Sequence, residues 1–313
     1  MRWQSKALAM GMASVLPRGS ELYQWGQVRF GRLAAVPERR LGDAVKLADW
    51  IQDGTHPLTD CVLLEVGTGH VPLVPIYLWI MGAKEVWTVD LHRRLNLSVT
   101  RSALTAICER EEVIVAEMAE VCPPEEARKR IEMARQFADD PTELFDRARI
   151  RYRAPSDASA TTFPDDSVDV VFSTTVMEHV PAGAMSDIFR ESHRILRPDG
   201  KAVHFIDPSD HFHHQDNNIS AINFLRYSPS MWRAIAGNEF AYCNRLRASQ
   251  LKEIITSAGF VLDREEAIVD EESLLLLESG FRVANDFAEL DNVDLATTRL
   301  DIMAHPRSEA PHI

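Results

Sequence analysis

The amino-acid sequence predicts an α/β fold in which a doubly wound, mostly parallel sheet carries helices on both faces. Apolar runs of strand length recur, and each is followed by a helical pattern, as buried strands joined by crossover helices require. The chain also has the bulk for such a core: 313 residues, 45% of them hydrophobic, exclude a disordered tail or a disulfide-stapled miniprotein. A glycine turn after the first run is the third sign, because backbone at a strand end can there approach a ligand closely.

In chain order, the first run is Cys61 to Val66, followed by the glycine turn and an apolar helix over Val71 to Ala83. That tract has 13 residues and two prolines, too short for a membrane span of about 20 residues. Gly82 ends it, and Glu85 to Asp90 reads as the second strand. Strands three to five are Ile150 to Ala154, Val168 to Ser173 and Lys201 to Asp207. Between the last two, Met185, Ile188, Phe189, Ser192, Ile195 and Leu196 recur at helical spacing, and Pro198-Asp199-Gly200 stops the helix. Ser249 is an expected N-cap for a helix ending at Gly259, and Phe260 to Ile268 and Thr298 to His305 read as the final strands.

Three segments stand outside the sheet pattern: residues 1 to 55, about 96 to 148, and 208 to 246. The first reads as a helical lid, with the aromatic and turn residues of Pro17 to Gly26 folding over a ligand, and the other two as helical insertions that form a cap. Residues 56 to 307 then make one domain with insertions, and 308 to 313 a tail. Acidic residues exceed basic ones by 47 to 34, which argues against a nucleic-acid partner held through phosphates. Cys61, Cys108, Cys122 and Cys243 form no metal-finger pair, so a reducing, cytoplasmic compartment is expected, with no export and no membrane span.

The most specific motif is Leu63-Leu64-Glu65-Val66-Gly67-Thr68-Gly69-His70. Its glycines clear the way for a nucleotide-like ligand, and the helix start behind them offers free N–H groups. A dinucleotide fingerprint would need glycine where Pro72 stands, and Glu65 would repel a diphosphate but pair with an ammonium group. Asp90 closes the second strand where an acid can accept both hydroxyl protons of a ribose. Leu91 lies beside it.

With LLEVGTG, VWTVD, SDASATTFPDDSVDVVFS, VMEHV, RESHRILRPDGK and SAGF, the chain resembles the class I S-adenosylmethionine-dependent methyltransferases of small-molecule type, the type 11-like domain. The resemblance covers about residues 58 to 95 and 150 to 305. It implies a Rossmann-like seven-stranded sheet with an antiparallel last strand, and S-adenosylmethionine as cofactor. It also implies that Gly67 and Gly69 lie against the methionine part, that Asp90 binds the ribose, that Asp157 and Ala158 meet the adenine, and that the chain near Ser173 lines the site. The third glycine of the family turn is replaced by Val71, and His70 stands where a small residue is usual, facing the carboxylate or solvent.

Methyl transfer from a sulfonium is an in-line displacement, so alignment and exclusion of water matter most, and a base helps a hydroxyl acceptor. His179 follows the fourth strand and can titrate near neutrality. Asp207 to Asp216, directly after the fifth, holds His211, His213 and His214 with Asp210, and is expected to bind the acceptor or move its proton, with no metal. Arg226, Tyr227, Arg245 and Arg247 are expected to grip an anionic acceptor, with a salt-bridged lid as the other reading. The expected function is methyl transfer to an oxygen or nitrogen of a small polar acceptor. The alternatives are a cofactor-binding scaffold without transfer, a protein side-chain methyltransferase, and a nicotinamide oxidoreductase.

Overall fold

A computed structural model describes residues 2–17, 19, 38–52 and 57–307. The lid motif of residues 17–26 lies almost wholly outside the described residues, and so does the tail of 308–313. Helices α1 (Trp3–Ser14) and α2 (Glu38–Ile51) precede β1 (Val62–Val66), α3 (Leu73–Ile80) and β2 (Glu85–Val89). Four helices follow: α4 (Leu97–Glu109), α5 (Glu111–Met118), α6 (Pro124–Gln136) and α7 (Pro141–Ala148). Then come β3 (Ile150–Arg153), β4 (Val168–Thr174), α8 (Ala182–Ile195) and β5 (Leu196–Ile206). The chain ends with α9 (Pro229–Ala236), α10 (Ala248–Ser257), β6 (Phe260–Val269), α11 (Glu271–Glu278), α12 (Asn292–Ala296) and β7 (Thr297–Pro306).

The strands form one sheet in the order β3-β2-β1-β4-β5-β7-β6, parallel except that β7 runs antiparallel to both its neighbours. The order reverses between β1 and β4, and the crevice at that switch point is where ligands of open α/β sheets bind. Strand alternation sorts the core onto two faces. Leu63, Val170, Phe172, Val203 and Phe205 point to one face, where they meet α2, α3 and the α4–α7 group. Leu64, Val171, Ala202 and Ile206 point to the other, covered by Met185, Ile188 and Phe189 of α8 and Leu251 and Ile255 of α10.

Two segments read as coverings of a pocket prove to be core. The 96–148 segment buries Ile107, Ile114, Met118, Ile131 and Leu144 against α2 and α3, because its mixed charges occupy one side of each helix and leave an apolar stripe. In the stretch read as a lid, α2 buries Leu41, Leu47, Trp50 and Ile51. Lys201 donates to the carbonyls of Trp50 (3.4 Å) and Ile51 (3.1 Å), placing a cation at the carboxyl end of α2. Lys46 binds both Glu266 and the buried Asp301 at 2.6 Å, which fastens α2 to the far strands.

The fifth strand begins earlier than its sequence suggests. Leu196 already pairs with Val168, and Pro198-Asp199-Gly200 forms an irregularity in β5 where the register against β4 shifts. A third core gathers at the carboxyl end of β5. Phe212, Phe224, Leu225 and Trp232 of the 208–246 insertion pack there with Trp3 of α1, Leu277 of α11 and Leu295 of α12. The Trp3 amide donates to Asp216 at 2.8 Å, so α1 is docked on this insertion.

Candidate functional site

The turn after β1 is shaped by positive backbone angles, with φ of +89° at Gly67 and +65° at Gly69. The Gly67 amide donates to the Val89 carbonyl at 2.8 Å and pulls the turn across the end of β2. A Cβ at residue 67 would lie 2.6 Å from Cγ2 of Val176, so only glycine lets the turn and the chain after β4 come together. Asp90 braces the same turn: one carboxylate oxygen accepts from the Gly69 amide at 3.0 Å, the other from the His92 amide at 3.0 Å. Each oxygen keeps a further lone pair for a ligand hydroxyl. Leu91, next in sequence, is 59% exposed at the rim.

Glu65 is buried at the end of β1 and accepts from Thr88, which also bonds Thr68. Burial pushes its carboxyl up to about 8, against the lowering effects of the Thr88 hydrogen bond and of Arg40. A cationic ligand group beside it would restore the ionised form. His70 turns its Nδ1 to the Arg94 carbonyl at 3.0 Å, and burial lowers its pKa. On the other flank Asp157 is exposed and caps its own turn, accepting from the Ser159 amide at 2.8 Å and hydroxyl at 2.7 Å, while Ala158 packs on the core. Ser173 is placed differently from the expectation that it lines the crevice. Its hydroxyl is buried and bonded at 2.8 Å to His204, whose pKa burial drives down to about 3.

Beyond β4 the chain is strained. Thr175 holds φ of +53°, rare for a β-branched residue and costing about 1–3 kcal/mol. Arg40 of α2 donates to its hydroxyl at 2.6 Å and to Asp43 at 3.1 Å, and its charge acts on both Glu65 and Glu178. The 3₁₀ turn of Met177–His179 follows. Glu178 is 1% exposed with neither carboxylate oxygen in a hydrogen bond of ordinary geometry, and burial raises it to about 8, offset only in part by the amides of Glu178 and Asp207. His179 reaches the surface but is ringed by protein, so desolvation lowers its pKa; its Nδ1 meets the Tyr242 carbonyl at 2.9 Å.

The stretch after β5 brings some of its histidines here. His211 lies with its ring centroid 4.8 Å from that of His179 and 5.3 Å from that of His214, and burial first, then His179, lowers it to about 4. Asp207 accepts from the Ser209 hydroxyl at 2.5 Å and stands 3.6 Å from Nε2 of both His211 and His214. His213 is turned to the Ile219 carbonyl at 2.6 Å. Asp210 is fully buried, accepts from the Phe212 amide and Asn223, and is raised to about 6 by burial, so it pins the loop.

The four residues expected to grip an anion are divided. Arg245 gives its donors to the Phe224 (3.0 Å) and Tyr227 (2.6 Å) carbonyls, and fully buried Arg247 gives its donors to those of Arg245 (3.2 Å) and Pro208 (2.5 Å). Arg247 thus clamps the chain just after β5, while Arg245 ties the insertion together and also pairs with Asp286 at 3.4 Å. Tyr227 stacks on Trp232, and Arg226 is exposed near the ring of Phe281. Arg40, Thr175 and Asn244 were not foreseen as site residues. Asn244 binds the Met177 and Val180 carbonyls at 2.7 and 2.8 Å and fixes the 177–179 turn. No sequence motif marks these three, since each acts through a partner distant along the chain. A separate recess lined by Ile51, Cys61, Asp169 and Lys201 lies at the amino ends of β1 and β4, away from all of these groups.

Residues 112–204 match the family model described as a methyltransferase domain, a stretch that begins after the glycine turn and ends inside β5. No curated protein matches the chain by sequence. Among solved structures, geranyl diphosphate C-methyltransferase from Streptomyces coelicolor A3(2) is 15% identical, with 83% of this chain and 78% of that chain covered and a TM-score of 0.46. Phosphoethanolamine N-methyltransferase 2 from Haemonchus contortus is 16% identical, with 84% and 52% covered and a TM-score of 0.45. The [4+2]-cyclase SpnF is 15% identical, with 85% and 82% covered and a TM-score of 0.46.

Proposed function

We propose that this chain, which carries a class I S-adenosylmethionine-dependent methyltransferase domain, transfers the methyl group of S-adenosylmethionine to an oxygen or nitrogen of a small polar acceptor. The observation that carries the reading is the paired construction at the switch point. A glycine turn braced by Asp90 stands beside a face of imidazoles whose pKa values lie below the ordinary range. In this reading the cofactor lies along the Gly67–Gly69 turn, with its ribose on Asp90, its adenine between Leu91 and the Asp157-Ala158 turn, and its ammonium group toward Glu65. The sulfonium then faces the 177–179 turn.

Methyl transfer needs the acceptor atom in line behind the carbon, and holding it there can supply about 7–11 kcal/mol of the barrier. His179, His211 and His214 border the acceptor side. Neutral imidazole has a lone pair that accepts from an acceptor O–H or N–H and turns its nucleophilic pair toward the methyl group. His213 and Asp210 support the loop from behind. A cytoplasmic setting is part of this reading, supported by four free cysteines.

Calorimetry with S-adenosylmethionine and with NAD, followed by release of S-adenosylhomocysteine over a panel of hydroxyl and amine acceptors, tests the proposal. We expect saturable binding of the first only, and turnover with at least one acceptor class. Binding without any turnover would favour a cofactor-holding scaffold, and tight binding of NAD would overturn the reading.

A further inference from the structure

Three ligand-capable groups converge where β4 and β5 end. The carboxylate of Glu178 and the imidazoles of His179 and His211 each offer one donor atom, and the three atoms lie within 4.8 Å of one another. They come from chain segments 32 residues apart, 179 to 211, brought together by the parallel pairing of β4 and β5. The cluster is short of partners. Glu178 is 1% exposed and makes no hydrogen bond of ordinary geometry beyond the weak approach of the Glu178 and Asp207 amides, and buried Nε2 of His211 makes none either, its Asp207 neighbour standing 3.6 Å away.

A buried carboxylate is costly unless it is paired or coordinates a cation. The cation that acts on Glu178 is Arg40, but the Arg40 guanidinium goes to Thr175 and Asp43 instead. His179 is already oriented as metal-bound imidazoles are, with Nδ1 donating to a backbone carbonyl at 2.9 Å and the Nε2 lone pair left over. Two imidazoles and one carboxylate suit borderline divalent ions, whereas magnesium and calcium prefer all-oxygen shells.

We propose that Glu178, His179 and His211 form a binding site for one divalent transition-metal ion of the zinc, manganese or iron class. An ion would draw the three donors, now within 4.8 Å of one another, to about 2.0–2.2 Å from itself. Asp207, 3.6 Å from His211 Nε2, stands next to the cluster and steadies that ring. Three protein ligands leave at least one position open. An oxygen of the acceptor would take it, which narrows the acceptor to a molecule with a metal-binding hydroxyl or carboxylate. With the ion bound, the Nε2 lone pair of His179 and the ligating nitrogen of His211 are committed to it, so the acceptor oxygen is oriented by the ion and not by those imidazoles; this narrowing rests on the methyl-transfer reading, and the ion site itself does not.

Cobalt(II) titration of tag-free, full-length protein tests the site, because its visible absorption reports coordination without any turnover. We expect bands that saturate at one equivalent, and a loss of cobalt affinity of more than about 10²-fold in His211→Ala and in Glu178→Gln, since even outer partners of a metal are worth about 10- to 100-fold. His305→Ala, on β7 beside Asp263, should keep the wild-type spectrum. S-adenosylmethionine affinity, measured on each variant, reports that the fold is intact. If wild-type protein binds the cofactor but shows no cobalt bands, or if neither variant changes them, the ion site is wrong while the methyltransferase reading stands. If S-adenosylmethionine does not bind wild-type protein, that reading fails by itself.

Discussion

The carboxyl ends of β1 and β2 are shaped by backbone, whereas those of β4 and β5 are shaped by buried side chains. In the first region two glycines with positive φ fold the turn, and a single carboxylate, Asp90, braces it through amides. In the second, Glu178, His211 and Arg247 carry buried polar atoms without a hydrogen bond of ordinary geometry, and Thr175 holds a strained backbone. Backbone recognition tolerates little variation in the ligand it cradles. Unsatisfied side chains are retained at a cost in stability, and such costs concentrate at functional sites. In the methyl-transfer proposal this difference puts the cofactor in the first region and the acceptor in the second.

Substitutions that separate the two regions put this division at risk. The largest effect is expected for Gly67→Ala, whose Cβ would meet Val176 at 2.6 Å on a backbone of φ +89°. Strain and overpacking together should cost about 2–4 kcal/mol, read by urea denaturation, with cofactor binding lost. Arg247→Ala should destabilise by about 1.5–3 kcal/mol, the scale of hydrogen bonds from a charged group, and should lower turnover more than cofactor affinity because Pro208 and the histidine stretch lose their clamp. Equal losses in both quantities would show that the regions are not separable. Asp90→Ala should weaken S-adenosylmethionine binding by about 1.5–3 kcal/mol in calorimetry. Unchanged affinity would remove Asp90 from the ribose position.

The smallest effect concerns Glu65. Its carboxyl is raised from the ordinary 4.5 to about 8, so its contribution to stability is complete below 4.5, is lost as pH rises toward 8, and changes no further above that. Glu65→Gln should therefore gain stability relative to wild type at pH 9 and lose that advantage at pH 4, as followed by thermal melts. Binding of a cationic cofactor favours the ionised carboxylate, so wild-type affinity should rise about three- to tenfold between pH 6 and 8 and that of Glu65→Gln should stay level. A parallel rise in both proteins would place the ammonium group elsewhere.

What could be read in the sequence follows the same division. The glycine turn and Asp90 stand in one short β-α-β unit, so spacing alone exposes them, and the strand pattern foretells the seven-stranded sheet. The region at the ends of β4 and β5 is assembled from α2, the turn after β4, the stretch after β5 and residues 242–247, and no local pattern links Arg40 to Thr175 or Asn244 to Met177. Residue type is an incomplete guide for arginine. Arg245 and Arg247 carry the residue type of an anion grip, but nearby carbonyls, and for Arg245 also Asp286, take their donors. The mixed charges of residues 111–136 concealed an apolar stripe, and Ile114 and Ile131 are fully buried.

A crystal structure with S-adenosylhomocysteine bound examines the central claim most directly. The account predicts ribose hydroxyls on the Asp90 carboxylate, backbone of Gly67–Gly69 against the amino-acid moiety, and sulfur directed at the His179 and His211 rings. Sulfur turned away from those rings, or the nucleoside seated anywhere but the β1–β2 crevice, would contradict it.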